Sequence, residues 1–209
     1  MVSQIKVDSV LESTSAAGVT IDGALIKDNF LAAAAGGGLV KLGTHTFDNS
    51  GDDVTFNTIF DGTKYLGYKI VTKDILHATD AQVLRLKYRA SSADILTGVT
   101  TERFAVTGAS NSSSSIAGSA SNPTGYVELN YSSGNASGEL AMSQLDLYPH
   151  GQHKVAYLQA YRTTADGTER TINSMVSAME DSTTVEGCRI YSSSGNVTSG
   201  TVDIWGMVK

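Results

Sequence analysis

Two clusters of potential ligating side chains are the first places to look for chemistry. The run DNSGDD, residues 48–53, gathers three carboxylates and a serine around a glycine, donors that would suit Ca²⁺. An EF-hand loop needs a glycine at its sixth position and a bidentate Glu at its twelfth, and neither is present, so the run is expected to be a solvated hairpin turn. PHGQH sets His150 and His153 three residues apart beside Pro149, a spacing that could clip a metal on a tight loop. No third ligand is recognisable, because the remaining histidines, His45 and His77, and the single Cys188 lie far away in sequence. Glycoside hydrolysis would require two carboxyl groups about 5–9 Å apart in the fold. Asp61, Asp80, Glu102, Glu169, Glu180 and Asp181 all fall in apparent turns or strand ends, where a solvated charge is the expected role. There is no G-x-S-x-G elbow, P-loop or H-E-x-x-H motif, and AGGGL is neither preceded by a parallel strand nor followed by Lys-Ser/Thr. Cys188 excludes an intrachain disulfide and reads as a small core residue in GCRIYSS. The expectation is a protein with no catalytic residue, no metal and no cofactor.

Composition narrows the remaining classes. The chain has 209 residues, 41% of them hydrophobic and only 17% charged. The usual charged share is about 25%, so small neutral polar residues must carry the solubility. The net charge of −6 and the absence of a Lys/Arg run argue against nucleic acid and against an anionic membrane as partner. The start, MVSQIKVDSV, lacks the basic and apolar regions of a signal peptide, and no window reaches the ~18 apolar residues of a membrane span. Neither Sec export nor membrane insertion is expected.

The elements that would position these side chains are nearly all strands. Alternation of apolar and polar residues predicts strands over residues 4–10, 38–43, 53–58 and 65–73. In QVLRLKYRA, residues 82–90, Leu84, Leu86 and Tyr88 face one way while Val83, Arg85, Lys87 and Arg89 face the other. That is a strand with one side on a core and one in water. GYVELNY, GELAMSQLDLY, KVAYLQAYRTT, RTINSMVSAM, CRIYSS and TVDIWGMVK add further candidates between Gly, Ser, Asn and Asp clusters, so a sandwich or barrel is indicated. In GELAMSQLDLY the apolar phase slips between Leu140/Met142 and Leu145/Leu147, which predicts a β-bulge near Ser143 or Gln144. The serine-rich residues 107–125 read as a long exposed loop, where binding commonly resides. Residues 24–35, ALIKDNFLAAAA, read as a short helix or an extended linker ended by Gly36 to Gly38. Residues 1–35 are therefore expected to form a small N-terminal piece, and residues 36–209 the β domain.

Three stretches carry a family likeness. IKVDSVLESTSAAGVTIDGALIKD, residues 5–28, resembles an N-terminal element common in structural proteins of marine tailed phages, where I-x-V-D-x-V/I-x-E leads into G-V-T-I-D-G-x-x-I/L-K-D. GGGLVKLGTHTFDNSGDDVTFNTIFDGTKYLGYKIV, residues 36–71, is similar to the start of a β-sandwich module of tail-fibre and other virion proteins. RIYSSSGNVTSGTVDIWGMVK, residues 189–209, resembles the end of that module, with Trp205 where Tyr is commoner. The likeness covers both ends well and residues 90–148 only in general texture.

The resemblance implies an all-β protein: a jelly-roll-like antiparallel β-sandwich behind a short N-terminal attachment or oligomerisation segment. It further implies a trimer in the virion, on a tail fibre or a capsid appendage, made in the host cytoplasm without a signal peptide. The residues agree on the need for a partner. Ile5, Val7, Val10, Val19, Ile21, Leu25 and Ile26 are apolar within a segment too short to bury them alone. Residues expected in the sandwich core are Phe56, Tyr68, Ile70, Leu84, Leu86, Val155, Tyr157, Ile190 and Ile204. If a host-surface polysaccharide is the target, Tyr126, Tyr131 and Tyr148 would stack on sugar faces while Ser and Asn bond hydroxyls. Two alternatives stand beside host binding: a capsid decoration or cement protein without a host ligand, and a virion-borne polysaccharide depolymerase.

Overall fold

The computed structural model describes residues 19–21, 24–27, 30–31, 38–51, 53–91, 93–95, 99–109, 114–121, 125–130, 133–163, 169–180 and 182–209. Among them there is no helix. Three short strands, β1 (Val19–Ile21), β2 (Ala24–Lys27) and β3 (Phe30–Leu31), form a small antiparallel sheet. The body follows as β4 (Leu39–Phe47), β5 (Asp53–Phe56), β6 (Tyr65–His77), β7 (Leu84–Ala90), β8 (Ala93–Asp94), β9 (Val99–Ala109), β10 (Ser114–Ser121) and β11 (Val127–Glu128). It continues through β12 (Ala141–Tyr148), β13 (His153–Thr163), β14 (Glu169–Glu180), β15 (Gly187–Ser192) and β16 (Val197–Val208).

The body is an all-β sandwich of two antiparallel sheets. One has eight strands in the order β10-β9-β14-β13-β12-β6-β16-β4; the other has β11-β7-β15-β5, with β8 on β7. Within them the chain passes repeatedly from one sheet to the other. β4, β6, β12 and β16 form one layer in the order β4-β16-β6-β12, and β5, β7, β11 and β15 form the other in the order β5-β15-β7-β11. This interleaving, in which the first and last strands lie side by side, is the jelly-roll arrangement of two Greek keys. Two strand pairs are additions to it. β9 with β10 and β13 with β14 continue the first sheet outward from β12, joined through β14 and β9.

The core forms because both sheets keep a period of two. Leu84, Leu86 and Tyr88 of β7 and Cys188 and Ile190 of β15 meet Tyr68 and Ile70 of β6, Leu145 and Leu147 of β12 and Val202 and Ile204 of β16, all buried. Phe56 packs against this cluster partly buried. The added strands extend the same layer with buried Ala156, Leu158, Ala160, Met175 and Met179. β5 and β15 approach so closely that a Cβ on Gly187 would lie 1.9 Å from the carbonyl oxygen of Phe56.

Four expectations are corrected. Tyr157, expected in the core, is 52% exposed, and Val155 is half-buried. β13 carries apolar residues on both faces, and pairing with β12 decides between them. Leu158 lies opposite Leu145 and Ala156 opposite Leu147, which turns Tyr157 outward. The serine-rich stretch holds a strand, β10, whose Ser115 pairs Thr107 and whose Ser121 pairs Thr101. An edge strand is held by backbone hydrogen bonds and needs few apolar side chains. Residues 24–35, read as a short helix or an extended linker, hold the strands β2 and β3, with Ile26 paired to both Val19 and Leu31. An isolated helix this short is marginal in water, whereas the strands gain a ladder. Last, the register shift does fall at Ala141/Ser143, but the extra residue is in β6. Ala141 pairs Ile75 while Ser143 pairs Thr72, and Asp74 between them has φ of 53°. β12 itself alternates without a break against β13, with Ala141, Ser143, Leu145 and Leu147 inward.

The predicted strand over residues 4–10 lies outside the described residues. All strands of the sandwich follow Gly38, so a chain beginning there is expected to stay soluble and melt cooperatively by circular dichroism. A truncated product without a cooperative transition would contradict that boundary.

Candidate functional site

The acidic residues are consumed by turns and strand pairing. Asp48 accepts bonds from the amide and hydroxyl of Ser50, which lower its carboxyl below the usual range. Asp61 closes the turn into β6, taking bonds from the Thr63 hydroxyl at 2.6 Å and amide at 2.9 Å, with Lys64 at 3.0 Å. The Thr63 hydroxyl, then Lys64 and the Thr63 amide, hold that carboxyl far below its ordinary value. Asp53 pairs with Arg189, and Asp80 receives the Ala81 amide at 2.8 Å. Glu169 and Glu180 sit at opposite ends of β14, eleven positions apart, a separation of about 36 Å along a strand. Glu102 pairs Val176 in mid-strand, and Asp52 and Asp181 lie outside the described residues.

The two histidines of PHGQH go separate ways. The Nε2 of His150 lies 3.2 Å from the Tyr68 hydroxyl, and burial lowers its pKa. His153 is exposed at the start of β13. Among the described residues, no three His, Cys, Asp or Glu side chains converge as metal ligands would. Cys188 is fully buried, and burial pushes its thiol far up from its usual value, so it is an inert core group. No helix among the described residues is long and apolar enough to cross a membrane.

The apolar segment residues are only partly described. Ile5, Val7 and Val10 lie outside the described residues. Val19 pairs Ile26, Ile21 pairs Ala24, and Leu25 pairs Thr20 across β1 and β2. Tyr131 also lies outside them. Tyr126 and Tyr148 lie apart, one before β11 and one at the end of β12. Tyr126, just before β11, is half-buried with the Arg85 guanidinium 4.1 Å from its ring centroid. Tyr148 closes β12 on the outer face of the eight-stranded sheet and is 39% exposed.

That outer face carries several exposed large side chains. Because Ala141, Ser143, Leu145 and Leu147 point inward, Met142, Gln144, Asp146 and Tyr148 point out. On β13 the outward set includes Tyr157, Gln159 and Tyr161. Register lines these rows up, Tyr161 against Met142, Gln159 against Gln144 and Tyr157 against Asp146. Ile172 and Val176 of β14 stand beside Tyr161 and Tyr157 and are exposed. The rings of Tyr148 and Tyr157 meet edge to face, centroids 6.4 Å apart. An open groove of about 410 Å³ runs between Val71, Met142, Gln144, Gln159, Tyr161 and Ile172. Asp146, the carboxylate in the outward row of β12, is paired to Lys69 of β6.

Aromatic edges, two facing amides and aliphatic side chains can take up a flat, neutral surface by stacking and hydrogen bonding. Alternation alone places Tyr157, the most exposed tyrosine of this face, in the core; the signal that finds it is the match of Leu145 and Leu147 to Leu158 and Ala156 in the pairing strand. Comparison of the chain with protein-family models, with curated proteins and with solved structures finds no match.

Proposed function

We propose that the chain is a non-enzymatic phage virion protein, part of a tail fibre or capsid appendage, that binds the host surface through glycan. The single observation that carries the binding part is the outward row of Tyr148, Tyr157 and Tyr161 with Gln144 and Gln159 on a rigid sheet. Ordered strands hold such side chains in place before a ligand arrives, so little entropy is lost on binding. The virion assignment rests on the sequence likeness of residues 5–28, 36–71 and 189–209 to phage structural proteins. The decoration-protein reading draws on the same face, because exposed Met142, Ile172 and Val176 suit a protein surface as well as a sugar.

Adsorption of the purified chain to host cells distinguishes them. The host-binding reading expects the full chain to bind cells and Tyr148→Ala/Tyr157→Ala to lose most of that binding, with the cell polysaccharide left at its original chain length. A chain that binds no cells would leave decoration as the better account, and shortened polysaccharide would favour the depolymerase. The proposed assembly through residues 1–28 predicts a trimer by light scattering, and a smaller species once those residues are deleted. A monomeric full chain would overturn it.

A further inference from the structure

The outer face of the second sheet gathers positive charge in a chain whose net charge is −6. The inward set Leu84, Leu86 and Tyr88 leaves Arg85, Lys87 and Arg89 of β7 outward. β15 adds Arg189 directly across from Lys87, and Tyr191 directly across from Arg85. Two of these four cations are neutralised, since Arg89 pairs with Asp94 and Arg189 with both Asp53 and Asp94. Arg85 and Lys87 form no ion pair among the described residues. Each is instead held over a ring, Arg85 at 4.1 Å from the centroid of Tyr126 and Lys87 at 5.3 Å from that of Tyr191.

Such rings fix a cation without neutralising it. The Nε of Arg85 is buried and meets no hydrogen-bond partner among the described residues, and register sets Glu128 across from Arg85. An anion between Arg85 and Lys87 would take up donors of the guanidinium fork, which matches the planar geometry of a carboxylate or the oxygens of a sulfate.

We propose that this face binds an acidic polysaccharide, whose carboxylate or sulfate groups are held between Arg85 and Lys87. It rests on the glycan-binding reading and goes beyond it, adding a second site for charged sugars on the face opposite Tyr148 and Tyr157. Nucleic acid fits less well. Two unpaired cations make few of the phosphate contacts on which such binding depends, and each of the two tyrosine rings already has a cation over it.

The test uses the full chain in calorimetric titrations against polygalacturonate, dextran sulfate, uncharged dextran and a single-stranded oligonucleotide. The proposal expects binding to polygalacturonate, dextran sulfate or both, weakened by raised salt and by at least tenfold in Arg85→Gln/Lys87→Gln. Arg85→Lys, which keeps the charge but loses the fork, is expected to fall between, and Lys73→Gln on the opposite sheet to bind as the unaltered chain does. Melting curves of each variant establish that it is folded. Equal binding by the folded double variant, tighter binding to the oligonucleotide, or no binding to either acidic polymer would each overturn the proposal. Cell adsorption that depends on Tyr148 and Tyr157 without any acidic-polymer binding would sink this inference alone and leave the glycan-binding reading standing.

Discussion

Leu158→Ala is expected to destabilise the protein by about 2–5 kcal/mol, while Tyr157→Ala, one residue away, costs about 1 kcal/mol or less. Leu158 is 1% exposed, belongs to the core cluster and lies opposite Leu145 of β12, so its truncation leaves a cavity in the core. Tyr157 is 52% exposed and loses only its edge-to-face contact with Tyr148. Urea unfolding of the two variants measures the difference directly. A larger loss for Tyr157→Ala would mean that β13 is turned the other way, and the outward tyrosine row would no longer exist.

Acidification is expected to weaken the fold through His77 before the surface carboxylates titrate. The imidazole is fully buried, with Nδ1 2.9 Å from the Ser192 hydroxyl. That hydroxyl donates its own proton to the Ser194 carbonyl at 2.8 Å, so it accepts from His77 and fixes the neutral ring with the proton on Nδ1. The Nε2 is buried and meets no hydrogen-bond partner among the described residues, so charging the ring there would place a proton in the core with no acceptor among them. Burial lowers the folded-state pKa from 6.5 to about 4. The neutral ring favours the folded state, so its contribution is complete above pH ~6.5 and is lost as pH falls towards ~4, on the order of 3 kcal/mol across that window. Urea midpoints at pH 7, 5.5 and 4.5 should fall accordingly. In His77→Asn, whose amide can still donate to Ser192, the decline should flatten to the smaller share of His150, whose pKa burial also lowers. An unchanged slope in that variant would remove His77 as its cause.

Much of the fold could be read in the sequence, because period-two alternation survives wherever one face of a strand is polar. In β7 the choice between Leu84, Leu86, Tyr88 and Arg85, Lys87, Arg89 admits one answer, and the structure gives it. β13 offers Ala156, Leu158, Ala160 against Val155, Tyr157, Tyr161, and only its neighbour resolves the choice. The same limit hid β10, whose serines and alanines pair through their backbone and leave no apolar signature. The candidate face was half legible: Tyr148 could be picked out, but Tyr157 and the facing Gln144 and Gln159 become neighbours only through strand register. The phase slip in β12 pointed to a real bulge, yet the extra residue sits in β6, seventy positions earlier in the chain, where Asp74 takes a left-handed conformation.

The central claim, that this jelly-roll-like sandwich is displayed on a virion, is tested most directly by gold-labelled antibodies against the purified chain in electron micrographs of intact particles. The account predicts label at a defined position on the tail or shell of every well-preserved particle. Particles without label, with the chain recovered only from the soluble fraction of the lysate, would contradict it.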